Sequence, residues 1–347
     1  MPEPAHNDLR RAESLRREGK LQEALEVINK IEKKGDLTPG DRLSLLISKG
    51  KILTVYQRHA ESIQVGELAY QLSQALGRVE DSIFALQFKA NKLFLGEPNV
   101  ALDYLLEAEK LLNSLTDVSP SFLSRQRANI LYRRAWANSS KGDSDTALET
   151  ALECLELRKK FGRKIDIAYI YELLSYIYNG KADNNVALDY ALKSLEIFKE
   201  LGNSIGQATL LAQAGFLSYI TGDINNALMY CKKSLSTELI GDRTKLNNLL
   251  YIGLSYNMKG EIDRALRYYK RGSSLAEELN DYNYFILSQN LIGSIYLQKK
   301  NYDLAIDYLK PSLALAKNTN HAVGIIQSLT WLGMIYLDLD LSSELQE

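Results

Sequence analysis

Only two cysteines occur in 347 residues, Cys154 and Cys231, and they lie 77 positions apart. A disulfide framework or a thiolate metal centre needs more thiols at closer spacing, so both are read as small buried side chains. Histidine is equally scarce. His6, His59 and His321 fall in distant segments with no carboxylate or cysteine at ligand spacing, so neither a metal site nor imidazole chemistry is expected. An excess of charge of one sign is also lacking: Lys and Arg number 42 against 43 for Asp and Glu. No global field is present to hold a phosphate backbone or an anionic bilayer, and neither nucleic acid nor membrane is expected as a partner. The N-terminus has no secretory core, and no stretch is expected to approach the roughly 20 apolar residues of a membrane span, so a cytoplasmic location is expected. Glycines stand singly rather than as a phosphate-cradling run, and no Ser, Cys or Thr sits in a nucleophile setting. Catalysis within this chain is not expected, nor is any cofactor.

What the sequence has instead is a repeat. The stretch from Gly222 to Leu235 recurs in near-copies, and the alanine at its centre defines a series: Ala24, Ser62, Ala101, Ala147, Ala187, Ala227, Ala265 and Ala305, at intervals of 38, 39, 46, 40, 40, 38 and 40. Twelve residues before each anchor stands a small residue (Ala12, Gly50, Ala135, Ser175, Gly215, Gly253, Gly293), with Lys89 as the exception. Seven residues after it the pattern returns as Ala69, Ala108, Cys154, Ser194, Ser234, Gly272 and Ser312, with Ile31 the exception. Small residues at three fixed points let two helices approach closely. Between them lies a turn, often Gly with an acidic residue, as in Gly142-Asp143 and Gly222-Asp223. There Gly ends one helix in a left-handed conformation, and Asp143, Asp183 or Asp223 is placed to cap the next.

Each unit therefore reads as helix A, tight turn, helix B. A single array of eight pairs is expected, with units near 5–40, 43–78, 82–116, 122–162, 165–202, 205–241, 245–280 and 284–320, and a partial ninth at 323–347. Three irregularities stand out. The 46-residue interval holds a turn-rich insertion from Asn113 to Ser121, expected as an exposed loop. Pro311 falls inside the last helix B, where a kink is expected. The ninth helix A carries Leu329, Leu332 and Ile335 without a following helix B, which suggests that the chain is a fragment of a longer protein.

The small residue, Gly-x-x-Tyr, Gly-Asp, alanine and second small residue, clearest from Gly253-Leu-Ser-Tyr256 to Gly272 and from Gly293-Ser-Ile-Tyr296 to Ser312, resemble the tetratricopeptide repeat family. The 40-residue period is similar to that of Pins/LGN-type adaptors, kinesin light chains and several bacterial regulators. The resemblance implies an all-α, right-handed superhelix whose A helices line a concave groove. Carried onto this chain, the inward positions are Asn129, Tyr132, Arg133 and Trp136; then Tyr169, Glu172 and Tyr176; then Gln213 and Phe216; then Asn247 and Tyr251; and last Asn290 and Trp331. The set is aromatic and amide-rich with few charges, which suits an extended or helical peptide. The family's carboxylate clamp is not reproduced, since only Arg133 offers an inward cation. Two basic clusters lie elsewhere: Lys159, Lys160, Arg163 and Lys164 at a helix B end, where they complement the helix dipole, and Arg125, Arg127, Arg133 and Arg134 on an A helix. The expected function is a non-catalytic scaffold that binds a protein or peptide segment, the alternative being the sensing module of a larger regulator.

Overall fold

The computed structural model describes residues 3–17, 20–34, 37–55, 58–237 and 240–344. These are 86% helical, with no strand among them, so the expected all-α class holds. The chain divides into two compact units, Met1–Ala182 and Asp183–Glu347. The division falls in the turn inside the expected fifth pair.

Unit 1 comprises α1 (Glu3–Arg17), α2 (Leu21–Lys34), α3 (Pro39–Val55), α4 (His59–Ala75), α5 (Val79–Lys89), a 3-10 segment (Ala90–Leu95), α6 (Pro98–Asn113), α7 (Pro120–Ser140), α8 (Ser144–Phe161) and α9 (Lys164–Gly180). Unit 2 comprises α10 (Asn184–Glu200), α11 (Ser204–Ile220), α12 (Ile224–Leu235), α13 (Asp242–Met258), α14 (Ile262–Glu278), α15 (Tyr282–Gln298), α16 (Tyr302–Asn318) and α17 (Ala322–Glu344). Inside each unit the helices pack in chain order, and a helix A also meets the next helix A, as α7 meets α9 and α11 meets α13.

The anchors explain why. All eight, from Ala24 to Ala305, have 0% exposure. Opposite them, three of the glycines twelve residues earlier receive the side chain four residues after the anchor. A Cβ at Gly215, Gly253 or Gly293 would lie 2.3 Å from Cys231 Sγ, 2.4 Å from Tyr269 Cε1 or 2.6 Å from Leu309 Cγ. The second small position adds a hydrogen bond. Cys154, Ser234 and Ser312 each donate to a carbonyl 26 residues earlier on their own helix A, those of Ala128 (3.2 Å), Ala208 (2.6 Å) and Ile286 (3.3 Å). Small size and a donor at one position thus weld the two helices.

Lys89, the misfit in the small-residue series, marks a local change of structure. The α-helix stops there and continues as the 3-10 segment, while Phe88 inserts its ring against Gly50 and its Cβ against Gly66. Lys89 is buried, paired with Glu67 at 2.9 Å and set over the rings of Tyr70 and Tyr104. The charge is accommodated because every side of it is compensated.

The turns follow the expected chemistry with one exception. Gly142 and Gly222 adopt φ of +82° and +83°, while Ala182 and Lys300 take the same left-handed conformation without glycine's freedom. Asp143 and Asp223 accept the amides of Thr146 and Asn226, but Asp183 makes no capping bond. The insertion from Asn113 to Ser121 is a mostly exposed connection, ended by Ser119 capping α7 at Phe122. α16 runs from Tyr302 to Asn318 through Pro311, which is exposed, as is Asp307, whose carbonyl loses its helical donor there.

One expectation needs correction. The stretch Ala322–Asp340 of α17 is long and apolar enough to span a membrane, with 22% of it buried in the protein. Its inner residues Leu332 and Ile335 pack with Leu309 and Ala305 of α16, while Leu329 remains half exposed.

Close packing at the glycine positions yields a controlled comparison. Gly253→Ala should cost about 1 to 3 kcal/mol, because its Cβ collides with the Tyr269 ring. Gly333→Ala, in the same register on α17, meets nothing within 4 Å and should be neutral or stabilising by up to about 1 kcal/mol through helix propensity. Urea unfolding of the two variants beside the parent checks this, and equal losses would mean that the register is wrong.

Candidate functional site

The inward positions of unit 1 come from two adjacent A helices. Asn129, Tyr132, Arg133 and Trp136 project from α7, and Tyr169, Glu172 and Tyr176 from α9. The four on α7 are spaced 3, 1 and 3 residues apart and the three on α9 by 3 and 4, which puts each set on one helical stripe. The two stripes meet at Trp136 and Tyr176, whose ring centroids lie 5.3 Å apart at 50°. Tyr176 is nevertheless 54% exposed, so the pair presents an aromatic edge to solvent.

The two charges of this face have different surroundings. Arg133 is half-buried and donates from Nη1 to Asn91 Oδ1 at 2.6 Å. Asn91 in turn donates to Ser62 Oγ at 2.9 Å and Thr54 Oγ1 at 3.3 Å, which ties α7 back to α3 and α4. No carboxylate forms an ion pair with this guanidinium among the described residues, and burial lowers its pKa to about 10. Glu172 is also half-buried and accepts no hydrogen bond among the described residues. Burial raises its pKa to about 7. The phenols of Tyr132 and Tyr169 are pushed up as well, first by burial and then by the Glu172 charge.

Arg158 of α8 completes the neighbourhood, and inward offsets on A helices could not have found it. It is 6% exposed, sets its guanidinium 4.3 Å from the Tyr132 ring and donates to the Asp166 carbonyl at 2.6 Å. The available signal was the run of cations ending α8. Their agreement with the helix dipole concealed that the first of them turns inward.

In unit 2 the expected positions are more fully used by the fold. Phe216 lies 5.0 Å from Tyr251, which also meets Tyr219 at 5.8 Å. Asn247 accepts the Tyr284 hydroxyl. Asn290 is 1% exposed, donates to the Gly324 carbonyl at 3.3 Å and accepts Ser328 Oγ at 2.7 Å. Its amide therefore serves as a strut from α15 to α17. Trp331 packs on the cluster of Leu309 and Leu332, and Gln213 is half-buried on α11. No group of three or more His, Cys, Asp or Glu able to hold a metal occurs among the described residues. His321 caps α17 by accepting the Gly324 amide at 2.9 Å. Cys154 and Cys231 are buried, which pushes their thiols up to about 11 and 12.

Comparison with known proteins agrees with this architecture. The tetratricopeptide repeat profile matches residues 128–161 and 287–319, which are parts of the α7–α8 and α15–α16 pairs. No curated protein matches the chain. Among solved structures, a Rap protein complexed with competence and sporulation factor is similar at 15% identity, with a TM-score of 0.64 over 97% of this chain and 99% of that one. The apo quorum sensor NprR from B. thuringiensis is similar at 14% identity and a TM-score of 0.62, over 96% and 98%. The STAND protein PH0952 from Pyrococcus horikoshii, which has a tetratricopeptide repeat sensor, gives 16% identity and a TM-score of 0.69, and this chain spans 50% of it. At these identities the likeness is one of fold.

Glu172 gives a pH test of the site. Its folded pKa lies above that of an unfolded carboxyl, so its burial costs nothing below about pH 4.5 and costs most above about pH 7, once it ionises. Glu172→Gln should therefore raise Tm by about 2 to 4 °C at pH 8 and leave it unchanged near pH 4.5. Thermal melts at the two pH values decide it, and an equal shift at both would mean that Glu172 is not desolvated.

Proposed function

The chain carries tetratricopeptide repeats, and we propose that it is a non-catalytic interaction scaffold that binds a peptide or protein segment on the helix-A faces, foremost that of unit 1. The observation that carries this reading is the Trp136–Tyr176 edge, an aromatic pair in contact yet open to solvent on Tyr176. Aromatic rings bury large area at little entropic cost and are the usual anchors of binding surfaces. Beside that edge Glu172 has both carboxylate oxygens available to a donor on the ligand. In unit 2, Phe216 and Tyr251 extend the same chemistry, whereas Asn290 supports the fold from within. The scaffold acts where the partner is, and its expected place is the cytoplasm.

A second reading, in which ligand binding is sensed and passed on as regulation, is supported by the likeness to a quorum sensor and to a Rap protein complexed with competence and sporulation factor. It shares the same face and differs in requiring a change elsewhere on binding. Hydrogen exchange with and without ligand separates the two, since a scaffold slows exchange only at the contact.

Crosslinking pull-down with the intact chain supplies the ligand, and calorimetry with variants tests the face. Trp136→Ala should weaken binding by about 2 kcal/mol or more, roughly 30-fold in Kd, with Tyr176→Ala following in the same direction. Unchanged affinity in both variants, with their helicity intact, would remove the site from this face.

A further inference from the structure

On its own helix Glu172 stands between two tyrosines, Tyr169 three residues before it and Tyr176 four residues after it, so the three share one stripe of α9. Across from them α7 presents Tyr132 and Trp136, one turn apart. Contacts tie the group together. Trp136 and Tyr176 lie 5.3 Å apart between ring centroids, the Tyr132 hydroxyl takes a hydrogen bond from the Trp136 side chain, and the Glu172 charge acts on the phenols of Tyr132 and Tyr169. Tyr176 is exposed and the other four side chains are half-buried, so each keeps surface for a ligand.

Among the described residues the Glu172 carboxylate accepts no hydrogen bond and enters no ion pair, and burial is the cause of its raised pKa. The basic side chains of the neighbourhood are engaged with other groups. Arg133 donates to Asn91 Oδ1 at 2.6 Å, while Arg158 donates to the Asp166 carbonyl at 2.6 Å and lies within electrostatic reach of the Asp166 carboxylate. The chemistry of an arriving side chain then decides what fits. A carboxylate would be repelled by Glu172 and by the negative faces of the rings. An apolar group would remove the remaining water from an ionised oxygen and return no bond. An amide returns a neutral hydrogen bond, whereas a guanidinium or ammonium returns a charge-assisted one, roughly twice as strong, and is attracted to the ring faces as well. Because Glu172 is already half-buried, such a pair would form where screening by water is weak.

We propose that Glu172 and the rings around it form a subsite for a basic side chain, so that the segment bound on the helix-A face of unit 1 carries an Arg or a Lys at this point. This rests on the reading that the face takes a polypeptide, and it adds the residue class that the face selects. The aromatic edge supplies apolar burial, and Glu172 supplies the discrimination between ligands of different charge.

The test starts from random peptides of about a dozen residues displayed on phage and selected on the immobilised full chain. The selected sequences should share a basic position, and selection on Glu172→Gln should lose that position. A selected peptide, dye-labelled and followed by anisotropy, then gives a double-mutant cycle. Replacing its basic residue by Gln should weaken binding at least about tenfold on the parent chain and less than about threefold on Glu172→Gln. Replacing it by Glu should weaken binding further on the parent chain and restore it on Glu172→Lys. Circular dichroism confirms that each variant is folded. A selection with no shared basic position, or equal losses on the parent chain and on Glu172→Gln, would overturn the proposal. Trp136→Ala and Tyr176→Ala run in parallel keep the two readings apart. Peptides without a basic position that lose binding in these variants sink the subsite and leave the aromatic face. Dependence on Glu172 with indifference to both ring variants establishes the subsite and removes the aromatic anchor, while indifference to all three variants, or failure to select any peptide, sinks both.

Discussion

Everything in both units depends on how closely helix A approaches helix B. That approach is set by a knob and a socket, the side chain four residues after the anchor entering the space above a glycine twelve residues before it. At Gly215, Gly253 and Gly293 the socket has no room for a methyl group, so the interaxial distance leaves no slack. The eight anchors at 0% exposure and the bonds from Cys154, Ser234 and Ser312 to helix A carbonyls enforce the same distance from the other side. Because the contact is rebuilt in pair after pair, each pair needs only its neighbours, and the inward stripe of every helix A is released from holding its own pair together.

That release decides where recognition can reside. The sockets and anchors consume the small residues, and the turns consume Gly, Asp and Asn. The inward stripe and the helix ends remain as places where side chains can vary without breaking the weld. In unit 1 the stripe is aromatic, with Trp136 and Tyr176 at its edge, while Lys51, Arg125 and Arg158, from three different helices, line one cleft. Arg158 stands in the last turn of α8, where the dipole favours a cation, whereas Arg125 lies near the start of α7 and Lys51 short of the last turn of α3, so their long side chains reach the cleft without that help.

The fold was legible because its cause is periodic. Small residues recurring at fixed offsets announce a close helix pair, and the left-handed turn at Gly142 or Gly222 could be read from a dipeptide. Asp183 failed as a cap although its sequence context matches Asp143, since capping depends on a side-chain rotamer that spacing alone does not specify. Lys89 stood out as a misfit, but the 3-10 segment and the Phe88 insertion that accommodate it are tertiary consequences with no local signature. The site was legible only as a stripe. Offsets put Trp136 and Tyr176 in one set, and the two rings do meet, yet the offsets could not distinguish Asn290, whose amide is spent on Ser328 and Gly324, from Asn129, which lines a cleft. Arg158 escaped because it reaches the site from a helix B.

Two residues that break the repeat's rules show how structural and functional exceptions differ. Lys89 puts a charge where a small residue belongs, but Glu67 pairs with it and two tyrosine rings cover it, so the exception is closed within the fold. Glu172 puts a carboxylate among aromatic groups on the inward stripe, where burial raises its pKa and it accepts no hydrogen bond among the described residues. A half-buried charge left in this way costs stability for as long as it is ionised. Glu172 thus stands as a cost that the fold carries, and the proposed ligand of this face would have a reason to meet it. A donor on an incoming segment would supply the missing partner and, by neutralising the carboxylate where water is already thin, would gain more than the same contact at an exposed site.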